Sequence, residues 1–253
     1  AQLEKVKNNQ REIILTTDST WLGQKSSYTR QGDWRPHRFG GEIMNGSLAK
    51  EDLCIENNQT KKWEPVSEIS IPLHEVSPQM VEPNIIADTI HPVSIIALAP
   101  DTFLVDMGKN LTGWVEIHFP KLEKSQSVKM EYCDHLIDGQ EFYDMNQYDL
   151  YLASGTLPEI FVNKFNYHGF RYIRITGLKE MPVADSIKAF LIHTDYKPAS
   201  GFECSDPDMN RIHDMIWYTL QCLSLGGDLV DCPHLERLGY GGDGNASTLT
   251  AQT

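Results

Sequence analysis

Three carboxylates, Asp231, Glu236 and Asp243, stand five and seven residues apart in a segment with neither helical nor strand periodicity. No single helix or strand face collects that spacing, so only a folded loop brings them together. Pro233, Gly239, Gly241 and Gly242 impose an unusual backbone path around them. Such a cluster suits cleavage of a glycosidic bond. A carboxyl flanked by other carboxylates holds its proton more tightly and can deliver it to a leaving oxygen, while its neighbours accept hydrogen bonds from sugar hydroxyls. An acidic surface turn is the simpler alternative, and the density of turn-formers favours an active-site loop.

The run Asp231-Cys-Pro-His-Leu-Glu-Arg-Leu-Gly-Tyr-Gly-Gly-Asp243 resembles the signature of the bacterial α-L-rhamnosidases, glycoside hydrolase family 78, in its Asp-Cys-Pro, Glu-Arg-Leu-Gly and Gly-Asp blocks. The resemblance implies that Glu236 is the general acid and that Asp231 and Asp243 bind rhamnose and tune the acid. It groups Arg237 and Tyr240 with them as substrate-binding residues. Departures occur at His234 and Leu235, where Gln and Arg are common, at Tyr240, where Trp is frequent, and at Gly241, where Thr is frequent. Three upstream blocks extend the resemblance: Asp106-Met-Gly-Lys-Asn110 with Gly113-Trp114, Tyr167-His-Gly-Phe-Arg-Tyr172, and Gly201-Phe-Glu-Cys-Ser205. Together they imply inverting hydrolysis of terminal α-L-rhamnosyl bonds in an oligosaccharide or glycoside, without a cofactor. The family's catalytic base lies far downstream of the acid, and inversion sets the two carboxyls roughly 6.5–9.5 Å apart.

The elements that must position this loop change character along the chain. Up to about Asp195 the sequence reads as strands: Val115, Ile117 and Phe119 alternate with Trp114, Glu116 and His118, and Val128, Met130 and Tyr132 alternate with Lys129 and Glu131. Ala99-Pro-Asp101 and Leu178 to Pro182 punctuate apolar runs as hairpin turns do, which predicts an antiparallel β-sandwich. The aromatic residues Tyr143, Tyr148, Tyr151, Phe165 and Tyr167 fit core or edge packing better than a sugar-stacking platform. After Ser205, Asp206-Pro207 opens an amphipathic helix through Met209, Ile212, Ile216, Leu220 and Leu223, predicted to end near Gly226-Gly227 directly before the acidic loop. His213 on that helix has no expected role.

The expected fold is therefore mainly β, with jelly-roll-like sandwiches followed by the first helical hairpin of an (α/α)6 barrel. Residues 1–85, a strand-poor stretch containing Trp21, Trp34, Trp63 and the Arg38 to Glu42 segment, resemble the latter part of an amino-terminal sandwich. Residues 86–198 form a concanavalin-like sandwich, and residues 199–253 begin the catalytic domain. At ~11 residues per helix plus loops, a twelve-helix barrel needs on the order of 200 residues. The chain has 55 from Ala199 onward, so a middle fragment without the base, inactive by itself, is the expectation.

Composition narrows the partners. A net charge of -13 argues against nucleic acid, whose phosphates would repel this surface. No apolar run approaches the ~20 residues of a membrane helix, and the polar opening from Ala1 to Glu4 is no signal peptide. The family reading favours a periplasmic or extracellular setting over a cytoplasmic one, with any export signal upstream. Cys54, Cys133, Cys204, Cys222 and Cys232 contain no CxxC pair and read as free thiols; Cys222, Cys232 and His234 lack a fourth ligand for a metal. The Asn-X-Ser/Thr triplets at Asn45, Asn58, Asn110 and Asn245 are coincidental outside a secretory eukaryotic setting. Two alternatives remain: a non-catalytic carbohydrate-binding sandwich, which has no use for Glu236, and a helical-barrel glycosidase for another sugar, which the departures at His234, Leu235 and Tyr240 would serve.

Overall fold

The computed structural model describes residues 2–8, 10–33, 35–48, 63–69, 79–138 and 141–252; Trp34, Cys54 and Asn58 lie outside them. The chain forms two compact units, residues 1–26 with 50–78 and residues 27–49 with 79–253. In the smaller unit, Gln2–Lys7 and Gln10–Thr16 form an antiparallel hairpin, and Leu22–Gly23 pairs with Glu64–Pro65. The sequence reads this stretch as strand-poor. The side chains of Gln10–Thr16 are all exposed, so no apolar alternation marks the strand.

The larger unit is built on a ten-stranded sheet. Its strands are β1 (Tyr28–Arg30), β2 (Glu42–Asn45), β3 (Asn84–Ile90), β4 (Ser94–Ala99), β5 (Thr102–Phe119), β6 (Ser127–Cys133), β7 (Tyr148–Leu152), β8 (Glu159–Val162), β9 (His168–Thr176) and β10 (Ile187–Thr194). Their order is β1-β2-β7-β6-β9-β5-β10-β3, with β4 and β8 also paired to β5. The 18-residue β5 explains how one sheet serves as a sandwich. Residues 102–106 pair with β4 and β9, residues 111–113 continue the ladder with β9, and residues 113–119 pair with β10 and β8. Gly108, at φ +80°, relieves the strand between these halves. Val105, Met107, Leu111, Val115, Ile117 and Phe119 of β5 and Val128, Met130 and Tyr132 of β6 enter one buried core, as their alternation predicts.

Pairing departs from expectation in two places. Residues Leu178 to Pro182 do not turn a hairpin: β9 and β10 flank them but pair with opposite edges of β5 instead of each other. In addition, β2 lies parallel to β7, with Ile43 opposite Leu150, so the sheet is not wholly antiparallel. Residues 27–49 thus complete an edge of the main sheet, although the sequence groups them with the first 85 residues. The upstream motifs also meet in space. Arg171 donates through Nε and Nη2 to the two Asp106 carboxylate oxygens at 2.8 and 2.9 Å, and a side chain at Gly113 would collide with the Phe190 carbonyl.

Helix α1 (Pro207–Leu223) starts as predicted, with the Asp206 carboxylate accepting the Asp208 N–H at 2.9 Å and Pro207 in the first turn. It ends at Leu223. Gly226 and Gly227, at φ +66° and +82°, turn a short hairpin between Ser224–Leu225 and Asp228–Leu229, because two successive left-handed residues match the twist of a hairpin better than a helix end. The helix docks by its polar and aromatic side: Tyr218 donates to the Asn110 carbonyl at 2.7 Å, Trp217 packs edge-on against Tyr196, and Gln221 reaches His193. Met209, Ile212 and Ile216 remain exposed on the opposite side, where Ile212 and Ile216 line a groove shared with Ala246, Ser247 and Thr250 of α2 (Gly241–Gln252).

Candidate active site

Residues 231–238 close into a compact loop. The Asp231 N–H donates to the Leu238 carbonyl at 3.0 Å, the Leu238 N–H donates to Asp231 Oδ1 at 3.2 Å, and the Leu235 and Arg237 N–H groups both reach the Cys232 carbonyl. The loop lies directly on β9. A Cβ at Gly169 would stand 2.8 Å from the His234 nitrogen, so only glycine permits this approach. On its other flank, the His37 N–H donates to the Leu235 carbonyl at 3.1 Å.

Glu236 projects half-buried from this loop. Its carboxyl accepts the Tyr240 hydroxyl at 2.9 Å and hydrogen-bonds the Asp231 carboxylate. Burial alone would raise Asp231, but hydrogen bonds from the Cys232 thiol and N–H, the Leu238 N–H and the Glu236 carboxyl lower its pKa. The Cys232 thiol donates to Asp231 Oδ2 at 3.1 Å, and burial with the adjoining carboxylate pushes it up to about 11. Asp231, lowered in this way, is the ionised carboxylate of the two at neutral pH. Asp243 is not part of the pair. It stands in the first turn of α2, where a negative charge suits the helix dipole, and among the described residues it makes no hydrogen bond to Glu236 or Asp231. The acidic run therefore divides at Gly241, where a loop gives way to a helix.

The Asp231–Glu236 contact carries a pH prediction. An ionised Asp231 opposes a second negative charge beside it, so Asp231→Asn should move the basic limb of the pH–rate profile to lower pH. A profile measured on an α-L-rhamnoside and unchanged on that limb would remove Asp231 from the acid's control.

Arg237 is turned inward. Its side chain is buried, its Nε donates to the Pro233 carbonyl at 2.8 Å, and its guanidinium nitrogens reach Asn166 Oδ1 at 2.7 Å and Gln147 Oε1 at 3.1 Å. The Phe39 and Tyr167 rings lie 4.9 Å from the guanidinium carbon. Sequence reasoning groups Arg237 with the substrate-binding residues, whereas every one of these contacts is with the protein itself. Burial lowers its pKa to about 10 and leaves it charged at neutral pH. Gln147 and Asn166 were not singled out from the sequence. The available signal was the Tyr167-His-Gly block, which Asn166 directly precedes and which ends on Gly169.

Beneath the loop lies a buried carboxylate network. Asp149 accepts from Tyr132 Oη at 2.7 Å, Asn163 Nδ2 at 2.8 Å, His168 Nε2 at 2.9 Å and the Glu42 N–H at 2.6 Å. Burial opposes its ionisation, but His168 and these hydrogen bonds prevail and lower its pKa. Burial lowers His168 and keeps it neutral, in keeping with an Nδ1 that has no partner among the described residues. Glu42 in turn accepts the N–H groups of Lys164, Phe165 and Asn166, which sets the turn carrying Asn166 to Arg237. The other aromatic candidates scatter: Tyr151 is buried on Phe119, Tyr148 lies under Lys129, and Tyr143 and Phe165 are exposed. Cys133, Cys204, Cys222 and Cys232 are free thiols, and no group of three metal-ligating side chains gathers among the described residues.

Comparison with known proteins accounts for nearly the whole chain. The α-L-rhamnosidase N-terminal domain matches residues 1–88, the bacterial α-L-rhamnosidase concanavalin-like domain residues 96–193, and the bacterial α-L-rhamnosidase six-hairpin glycosidase domain residues 197–253. The chain belongs to the bacterial α-L-rhamnosidase family. An α-L-rhamnosidase of Formosa agariphila is 28% identical over 218 residues, which are 82% of this chain and 23% of that protein. The solved α-L-rhamnosidase from Dictyoglumus thermophilum matches with a TM-score of 0.83 at 24% identity, covering 99% of this chain and 28% of its own. The Streptomyces avermitilis α-L-rhamnosidase, solved with L-rhamnose, gives 0.84 at 23% identity, covering 99% and 24%. These likenesses show the family's fold. The chain spans about a quarter of the length of the relatives it matches.

Proposed function

We propose that this chain supplies the general acid of an inverting α-L-rhamnosidase, with Glu236 as the proton donor to the leaving oxygen. The observation that carries the reading is the hydrogen-bonded Asp231–Glu236 pair, held by Tyr240 on a closed loop within the six-hairpin glycosidase segment. In this mechanism Asp231 stays ionised, accepts sugar hydroxyls and keeps the proton on Glu236 until the glycosidic bond begins to break. Tyr240 orients the donor oxygen. A second carboxylate from the remainder of the catalytic domain activates water on the opposite face of the ring, so the anomeric configuration inverts. Asp243 binds rhamnose from the start of α2. The substrate is a terminal α-L-rhamnosyl unit of an oligosaccharide or glycoside, and the enzyme works in the periplasm or outside the cell. A sugar-binding module has no need of a hydrogen-bonded carboxyl pair, which favours the enzyme.

The acid is separable from the base in this scheme. The 253-residue chain alone should therefore give no turnover of an aryl α-L-rhamnoside above background, while an enzyme of the relatives' full length containing it should turn over and release product of inverted configuration. Product anomer followed by NMR tests both statements; clear turnover by the chain alone would place a base among its own carboxylates.

A further inference from the structure

We propose that Arg237 is a positioning residue that transmits the rigidity of the β-sandwich to the proton donor beside it. The inference rests on Glu236 being the acid, and the sandwich thereby becomes part of the catalytic apparatus. Arg237 follows Glu236 directly, and its backbone sits at φ +56°, a left-handed conformation that a residue with a side chain rarely adopts unless its surroundings enforce it. The enforcing contacts come from three directions. Pro233 closes the loop onto the guanidinium from within, Asn166 and Gln147 bind it from the sandwich, and the Phe39 and Tyr167 rings confine its plane.

The two sandwich acceptors are themselves fixed. Gln147 Oε1 also accepts the Gly169 N–H at 2.9 Å while its Nε2 donates to the Gly169 carbonyl at 3.0 Å, so its amide is locked to β9. Asn166 Oδ1 also accepts the Tyr167 N–H at 3.0 Å, and its own N–H is held by Glu42. A lysine cannot replace this clamp. Its ammonium is a single point with tetrahedral donors, whereas Pro233, Gln147 and Asn166 are spread around the plane of a guanidinium. The interaction is neutral on the acceptor side, so Arg237 orients the loop without lending an ion pair to Glu236.

The test uses the full-length enzyme and two aryl α-L-rhamnosides, a methoxyphenyl glycoside that needs protonation to leave and a dinitrophenyl glycoside that does not. Glu236→Gln is the reference for loss of the acid. For Arg237→Lys we expect kcat on the methoxyphenyl substrate to fall on the order of 10²-fold and on the dinitrophenyl substrate less than about fivefold, with KM changed less than about threefold. Asn166→Ala leaves Arg237 in place and should show the same selectivity at about tenfold. An equal fall on both substrates would mean general damage to the fold and would overturn the proposal. A raised KM with unchanged kcat would make Arg237 a substrate contact and overturn it too. If Glu236→Gln itself shows no leaving-group selectivity, the assignment of the acid fails instead, and the two failures are told apart.

Discussion

Glu236→Gln is expected to reduce kcat on an α-L-rhamnoside with a poor leaving group by about 10²- to 10⁴-fold, the range lost when a positioned general acid can no longer give its proton. The amide keeps the size of the side chain and its hydrogen bond from Tyr240, so KM and thermal stability should stay near wild type. The comparison that decides is made with two leaving groups, because an activated aryl group departs without help. Retention of more than about a tenth of the wild-type rate on the poor leaving group would remove Glu236 from the mechanism.

The largest effect on stability is expected at Asp149. Asp149→Ala removes one carboxylate that satisfies four buried donors and leaves Tyr132, Asn163, His168 and the Glu42 N–H without it. Breaking a buried, hydrogen-bonded charge of this kind costs about 3–5 kcal/mol, seen as a lower urea midpoint. The pH dependence has a definite sign. The folded-state pKa of Asp149 is depressed, so its stabilisation is present above the unfolded value of about 3.9 and is lost as pH falls through the folded value. The gap between wild type and variant should therefore be full at neutral pH and narrow in acid. A gap that is absent at neutral pH would show that the donors re-pair without Asp149.

The parts of the structure that sequence reasoning reached are those with a local signal. Alternation along β5 and β6 gives the buried face because side-chain direction follows from the strand itself. Asp206-Pro207 marks a helix start through chemistry confined to one turn. The proximity of Asp231 and Glu236 follows from their short separation across Pro233. What remained hidden depends on partners remote in sequence. Nothing around residues 178–182 says that β9 and β10 both attach to β5, and nothing around Gly226-Gly227 distinguishes a helix end from a hairpin turn until Ser224 and Leu229 are seen to pair. Arg237 is grouped with the substrate-binding residues by the resemblance. Its direction is decided by Gln147, 90 residues earlier in the chain.

The long strand β5 has a consequence for how the molecule can come apart. A sandwich of two separate sheets has a seam of side chains along which one sheet can loosen while the other persists. Here a single backbone runs through both layers, so opening either one unzips a ladder that the other shares. Partial unfolding is suppressed along this strand, and the layers form one cooperative unit. Strand β9, bound to β5 along most of its length, carries Gly169 beneath the acid loop. The loop that carries Glu236 thus rests on a part of the protein that yields only when the whole of this unit does.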